Sequence, residues 1–190
     1  MLRMTAMAPI LPNSDRDQTK LPYVHLSGYK FKRFSEDELS QLRSNLKQNA
    51  IKLQIKGTIL LGLEGLNFFL SGKDHAIEEM AQYLQTQTDI DDLPYKINYS
   101  ETQPYTRMLV RIKNEIVTMG VPGVGPEKTN APYISADQLH EWYEQGKEFV
   151  ILDTRNDYEV ALGKFDNAMD LDIKSFRDFP AAIAALGDEL

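Results

Sequence analysis

The sequence contains no cysteine. That excludes disulfides, thiolate metal sites and a cysteine nucleophile within these 190 residues. Histidine is almost as scarce: His25, His75 and His140 lie far apart without metal-ligand spacing. Each reads as a solvated or locally bonded ring, so no metal site is expected. Long apolar runs are missing too, and none approaches the roughly 20 residues that a membrane helix needs. The first twenty residues hold only a short apolar patch, Ala6 to Leu11, among prolines and charges. That is a poor signal peptide, and it predicts a disordered tail (1–20) on a cytoplasmic protein.

What is present is ordinary for a globular chain: 42% hydrophobic and 26% charged residues, enough for one large domain or two small ones. The net charge of −7 is unevenly placed. Residues 1–120 hold 15 Lys and Arg against 14 Asp and Glu, while residues 121–190 hold 6 against 14. The acidity therefore belongs to the second half. It argues against non-specific nucleic-acid binding by the whole chain but allows a basic face on the first half.

The first half alternates strand and helix signals. Tyr23 to Phe34 reads as a strand. Ser35-Glu36-Asp37-Glu38 is a capping box, followed by a Leu39, Leu42, Leu46 stripe to about Asn49. Ile51 to Leu63 and Leu66 to Ser71 read as strands joined at Glu64-Gly65. Asp74 is placed to cap a second helix whose apolar face carries Ile77, Met80, Ala81 and Leu84. Tyr95 to Tyr99 and Met108 to Thr118 supply further strands. The order β-α-β-β-α-β predicts an α+β ferredoxin-like (acylphosphatase-like) sandwich over residues 21–120.

Prolines and glycines crowd residues 121–132, the natural linker. Beyond it, Ser135-x-x-Gln138 opens a helix that Gly146 ends, and Ala168 to Ile173 and Pro180 to Leu186 suit a strand and a helix. Phe149-Val150-Ile151-Leu152 is a short β-branched run of the kind buried on both faces of a parallel sheet. It ends in a charged cluster of Asp153, Arg155, Asp157 and Glu159, where ligand-facing groups gather in open α/β sheets.

Leu152-Asp153-x-Arg155, Glu159, Gly163 and Asn167-Ala168 resemble the first half of a rhodanese domain, with Lys164 where that family usually has histidine. The resemblance implies a partial α/β rhodanese domain over residues 133–190. In it Asp153 and Arg155 either support an active site or only tie the strand end to nearby loops. A rhodanese cysteine would stand in a loop after the next strand. The chain stops at Leu190 before that loop, so it reads as a fragment of a longer protein, or else as a half-domain without its nucleophile.

Gly57-Thr58-Ile59-Leu60-Leu61, Glu64-Gly65-Leu66-Asn67 and Arg111 to Gly120 extend the likeness. Over about residues 23 to 180 the chain resembles the oxygen-dependent tRNA uridine hydroxylase family (TrhO, formerly YceA). The resemblance implies 5-hydroxylation of the wobble uridine of tRNA, dioxygen as co-substrate, tRNA as partner and an essential cysteine beyond Leu190. Arg107, Arg111 and Lys113 alternate along one strand and so share a face, which suits contacts to tRNA phosphates. Lys30, Lys32 and Arg33 are candidates to join them, and Tyr105 and Phe31 to stack on bases. The same cations equally suit a solvated sheet face or a charged edge. A rhodanese-type sulfurtransferase and a non-catalytic rhodanese-like binding module are the alternatives.

Overall fold

The computed structural model describes residues 21–117, 119–121 and 132–187. The expected tail (1–20), and all but the ends of the expected linker (121–132), lie outside them. The chain divides after Ile116 into two compact units.

The first unit runs β1 (Tyr23–Phe31), α1 (Glu36–Lys52), β2 (Lys56–Gly62), β3 (Gly65–Gly72), α2 (Asp74–Thr88), β4 (Lys96–Ser100) and β5 (Met108–Ile112). The sheet order is β4-β1-β3-β2-β5. The first four strands give the antiparallel ferredoxin-like arrangement, and β5 adds a fifth strand parallel to β2. Helix α1 starts where expected. Ser35 Oγ accepts from the Glu38 N–H, and the Glu38 carboxylate accepts from the Ser35 N–H at 2.7 Å. Replacing Ser35 with alanine removes the hydroxyl that accepts from the Glu38 N–H, while the backbone N–H at residue 35 stays, and should lower stability by about 1 kcal/mol, read by chemical denaturation.

The core lies between the helices and one face of the sheet. Leu39, Leu42, Leu46 and Ala50 of α1, and Ile77, Met80, Ala81 and Leu84 of α2, are buried against Leu26, Ile59, Leu61, Phe68 and Leu70. Phe68 is fully buried opposite Gly28 of β1, and its ring tip would lie 2.8 Å from a Cβ built at that glycine. A side chain at residue 28 would collide first with the Pro94 carbonyl oxygen and then with this ring, so the glycine makes the packing possible.

Two local expectations are corrected. Ile51 and Lys52 form the last turn of α1 rather than the start of a strand, and β2 begins only at Lys56. Gln54, at φ 57°, reverses the chain between them. The N-cap of α2 is Lys73 rather than Asp74, which sits inside the first turn, where its charge favours the helix dipole.

The second unit contains α3 (Ala136–Glu144), β6 (Leu152–Asp153), α4 (Asp157–Val160), β7 (Met169–Asp170) and α5 (Phe179–Leu186). Strand β6 pairs in parallel with β7 alone among the described residues. The expected doubly buried strand from Phe149 is corrected to two residues, and Val150 is exposed. A strand is buried on both faces only when neighbouring strands and two covering layers surround it. Phe149 instead packs on the rings of Trp142 and Tyr143 at 5.6 and 5.2 Å. Among the described residues of this unit the buried hydrophobic ones are Ala168 and Ile173, whereas Tyr158, Leu162 and Phe165 are exposed. So small a core should not sustain cooperative folding. Residues 132–190 produced alone should melt gradually by circular dichroism, without a sigmoidal transition.

Candidate nucleic-acid interface

The pleat assigns each strand residue to one of two faces. In β5, Met108 and Val110 join the core beneath the helices. Arg111 therefore belongs to the opposite, open face, where it pairs in register with Leu60. The ladder continues past both ends of the strand. The Gly57 N–H donates to the Arg107 carbonyl at 3.1 Å, and the Lys113 N–H donates to the Leu61 carbonyl at 2.7 Å. Arg107, Arg111 and Lys113 are thus aligned along one edge of the sheet, and all three are exposed.

Lys30 and Lys32 do not join them. Lys30 shares its parity with buried Val24 and Leu26 and so falls on the helix side, where it pairs with Asp92 at 2.9 Å. Lys32 donates to the carbonyls of Thr88 and Asp89, at 2.8 and 2.6 Å, and to the Asp89 carboxylate. A cation at the carbonyl end of α2 complements the helix dipole. Tyr105 is half-buried in the β4–β5 crossover, and Phe31 is half-buried with its ring 5.8 Å from that of Tyr29.

The open face also carries residues that sequence reasoning missed. Phe69 is 45% exposed and Tyr29 47% exposed, on the two central strands β3 and β1. The clue lay in the alternation of β3. Leu66, Phe68 and Leu70 share one parity, and Asn67 and Ser71 share the other with Phe69. Two segments bound the face. At one end Asn67 donates to the Ile116 carbonyl and Glu64 accepts from the Ile116 N–H at 2.7 Å, which seats buried Ile116 beside Gly62 and Gly65. At the other, Gln103 in the β4–β5 crossover donates to the Ser71 carbonyl at 2.7 Å.

In the second unit the structure brings Asp153 and Arg155 together. The Arg155 guanidinium donates to Asp153 through Nε at 2.9 Å and Nη2 at 2.6 Å, and Nη2 also reaches the Gly163 carbonyl at 2.7 Å. This fork closes the loop after β6 onto the strand end. Lys164 donates to the Asp170 carboxylate on β7. The described residues hold no cluster of three or more His, Asp or Glu fit to bind a metal ion. No described helix is long and apolar enough to cross a membrane.

Hydrogen bonds shift several carboxyls in one direction. Asp153 is held below the ordinary carboxylate range by Arg155, Asp170 by Lys164, Asp92 by Lys30, and Glu38 by the Ser35 backbone N–H. Each depressed carboxyl contributes stability that is present above its unfolded pKa, roughly 4, and lost as pH falls through the folded value. Burial lowers His25 below 6.5, so protonating it also opposes folding. Stability should therefore rise steadily with pH from about 3 to 7, as read by thermal melts across that range.

Residues 23–116 match the family described as UPF0176 acylphosphatase like domain. The tRNA uridine(34) hydroxylase of Cupriavidus taiwanensis is 42% identical over 172 residues, covering 88% of this chain and 60% of that protein. The protein of the same name from Thiobacillus denitrificans is 41% identical over 171 residues, covering 87% of this chain and 68% of that protein. Among solved structures, an acylphosphatase from Coxiella burnetii aligns with TM-score 0.34 and 15% identity, over 49% of this chain and 96% of that one. The chain spans about 60% of the length of the first curated relatives it matches. With an identity of 41% sustained across more than two thirds of the Thiobacillus protein, the chain belongs to the tRNA uridine(34) hydroxylase family.

Proposed function

We propose that these residues serve an enzyme that hydroxylates carbon 5 of the wobble uridine of tRNA, with dioxygen as co-substrate. The observation that supports this reading is the sustained identity, across both units of the chain, to proteins named tRNA uridine(34) hydroxylase. In this reading the first unit engages tRNA, with Arg107, Arg111 and Lys113 facing phosphates from the sheet edge. The second unit belongs to a rhodanese-like domain, in which the Asp153–Arg155 fork fixes the loop at the strand end and acts as a positioning device. These 190 residues contain no cysteine, so any thiol step of the reaction belongs to residues outside them.

Mass spectrometry of tRNA nucleosides from a strain lacking the gene tests the reading. Nucleosides derived from 5-hydroxyuridine should fall and should return when the full-length gene is restored. An unchanged nucleoside profile, in a strain without another enzyme of this activity, would overturn it.

A further inference from the structure

The five strands of the first unit contain no aspartate or glutamate, although the whole chain holds 28. Along the strands themselves the open face takes its charge from cations alone, with Glu64 lying in the β2–β3 turn at its end. Register places Lys96, Ser27, Phe69 and Thr58 in one row across four strands, and Tyr29, Asn67, Leu60 and Arg111 in the next. Two exposed rings thus occupy the middle of the sheet, with a lysine on one edge strand and an arginine on the other.

Phe69 stands opposite Ser27 on β1, so Tyr29 is its diagonal neighbour on the adjoining strand. Diagonal positions on one face are within reach of aromatic side chains. The segment at Ile116 reaches Asn67 in the second row and Gln103 bounds the other end, and between them Phe69 and Tyr29 remain exposed. Isolated surface aromatics are common and need no explanation. Here two of them share the central strands, in a band whose charges are all of the sign that attracts phosphate.

A face of this kind suits unpaired RNA better than a duplex. In a duplex the base faces are stacked on one another and cannot lie on a protein ring. In a loop the bases can be splayed onto aromatic side chains while the backbone runs toward cations. We propose that the open face of the sheet receives unpaired nucleotides of the tRNA anticodon loop, stacked on Phe69 and Tyr29, with flanking phosphates directed to Arg111 and Lys96. The choice of the anticodon loop rests on the wobble-uridine reading above. The preference for unpaired over paired RNA rests on the face itself.

The test is fluorescence anisotropy of the whole chain with two labelled probes, an anticodon stem-loop bearing uridine 34 and a fully paired RNA duplex. Phe69→Ala and Tyr29→Ala should each weaken stem-loop binding about tenfold, with duplex binding unchanged. Phe69→Tyr, which keeps the ring, should bind as the parent does. Arg111→Ala should weaken both probes and flatten the dependence of log affinity on log salt by about one unit. Stem-loop binding unaffected by either aromatic substitution would overturn the inference, as would a duplex bound as tightly as the loop. Loss of self-association in Phe69→Ala, seen by sedimentation without loss of RNA affinity, would instead assign the face to a second copy of the chain and equally overturn it. The nucleoside measurement is independent. Aromatic-dependent loop binding in a protein whose absence leaves uridine 34 chemistry intact would uphold the stacking face and remove only the hydroxylase reading.

Discussion

Replacing Phe68 with alanine is expected to remove about 3–5 kcal/mol from the stability of the sheet unit, most of what a small domain possesses. The ring is fully buried among Leu26, Ile59 and Leu70, over the space left by Gly28. Alanine would leave a cavity whose walls are strands held in register on both sides, so little collapse can fill it. The neighbouring substitution Phe69→Ala, on the open face, should change stability by only about 0.5 kcal/mol. Denaturant titration of the two variants therefore tests the assignment of faces. Equal losses would mean that the two rings do not lie on opposite sides of the sheet.

The second large effect is expected at Gly57. Its φ is +135°, and a Cβ there would overlap the carbonyl oxygen of Phe69 on the paired strand. The residue lies between β3 and β5, with its N–H bonded to the Arg107 carbonyl, so the backbone has no open side to move toward. Gly57→Ala should therefore cost on the order of 3 kcal/mol, combining the strain of a positive φ with a backbone clash. It should also disturb the register of β5 and with it the line of Arg107, Arg111 and Lys113. Alanine at Gly146 makes a useful control. That glycine also has a positive φ, +61°, but its added Cβ would meet nothing within 4 Å. Its cost should be the smaller one, roughly 1 kcal/mol, of placing a side chain in left-handed backbone. A wild-type melting profile for Gly57→Ala would contradict this geometry.

Much of the first unit was legible because its signals are local. The Ser35–Glu38 box needs only four residues, and the leucine stripe of α1 only the period of a helix. The hairpin expected around Glu64-Gly65 is present, with its turn one residue earlier, at Leu63-Glu64, between strands that meet at the Gly62–Gly65 pair. Non-local information accounts for the failures. Ile51 is apolar and β-branched, so it reads as strand, yet the helix already under way extends through it. Lys30 lies on β1 and Lys32 just past its end, and only the paired register shows that the first turns to the helix side of the sheet, toward Asp92. Phe68 and Phe69 are identical in kind. Which one is buried follows from the parity that Phe68 shares with Leu66 and Leu70, and the room for its ring comes from Gly28, forty residues away in the chain. In the second unit the Asp153-x-Arg155 spacing left open whether the pair supports an active site or ties the strand end to nearby loops; the structure shows Arg155 bridging Asp153 and the Gly163 carbonyl. The extent of β6 depended on layers that a short apolar run cannot specify.

Whether the open face of the sheet holds the unpaired part of the tRNA can be decided by photocrosslinking. 4-Thiouridine is placed in turn at each loop position of an anticodon stem-loop, and the linked peptides are identified by mass spectrometry. Links are expected to the β1 and β3 peptides carrying Tyr29 and Phe69, and they should be lost in the corresponding alanine variants. Links confined to α1 and α2, on the far side of the sheet, would contradict a stacking role for the open face.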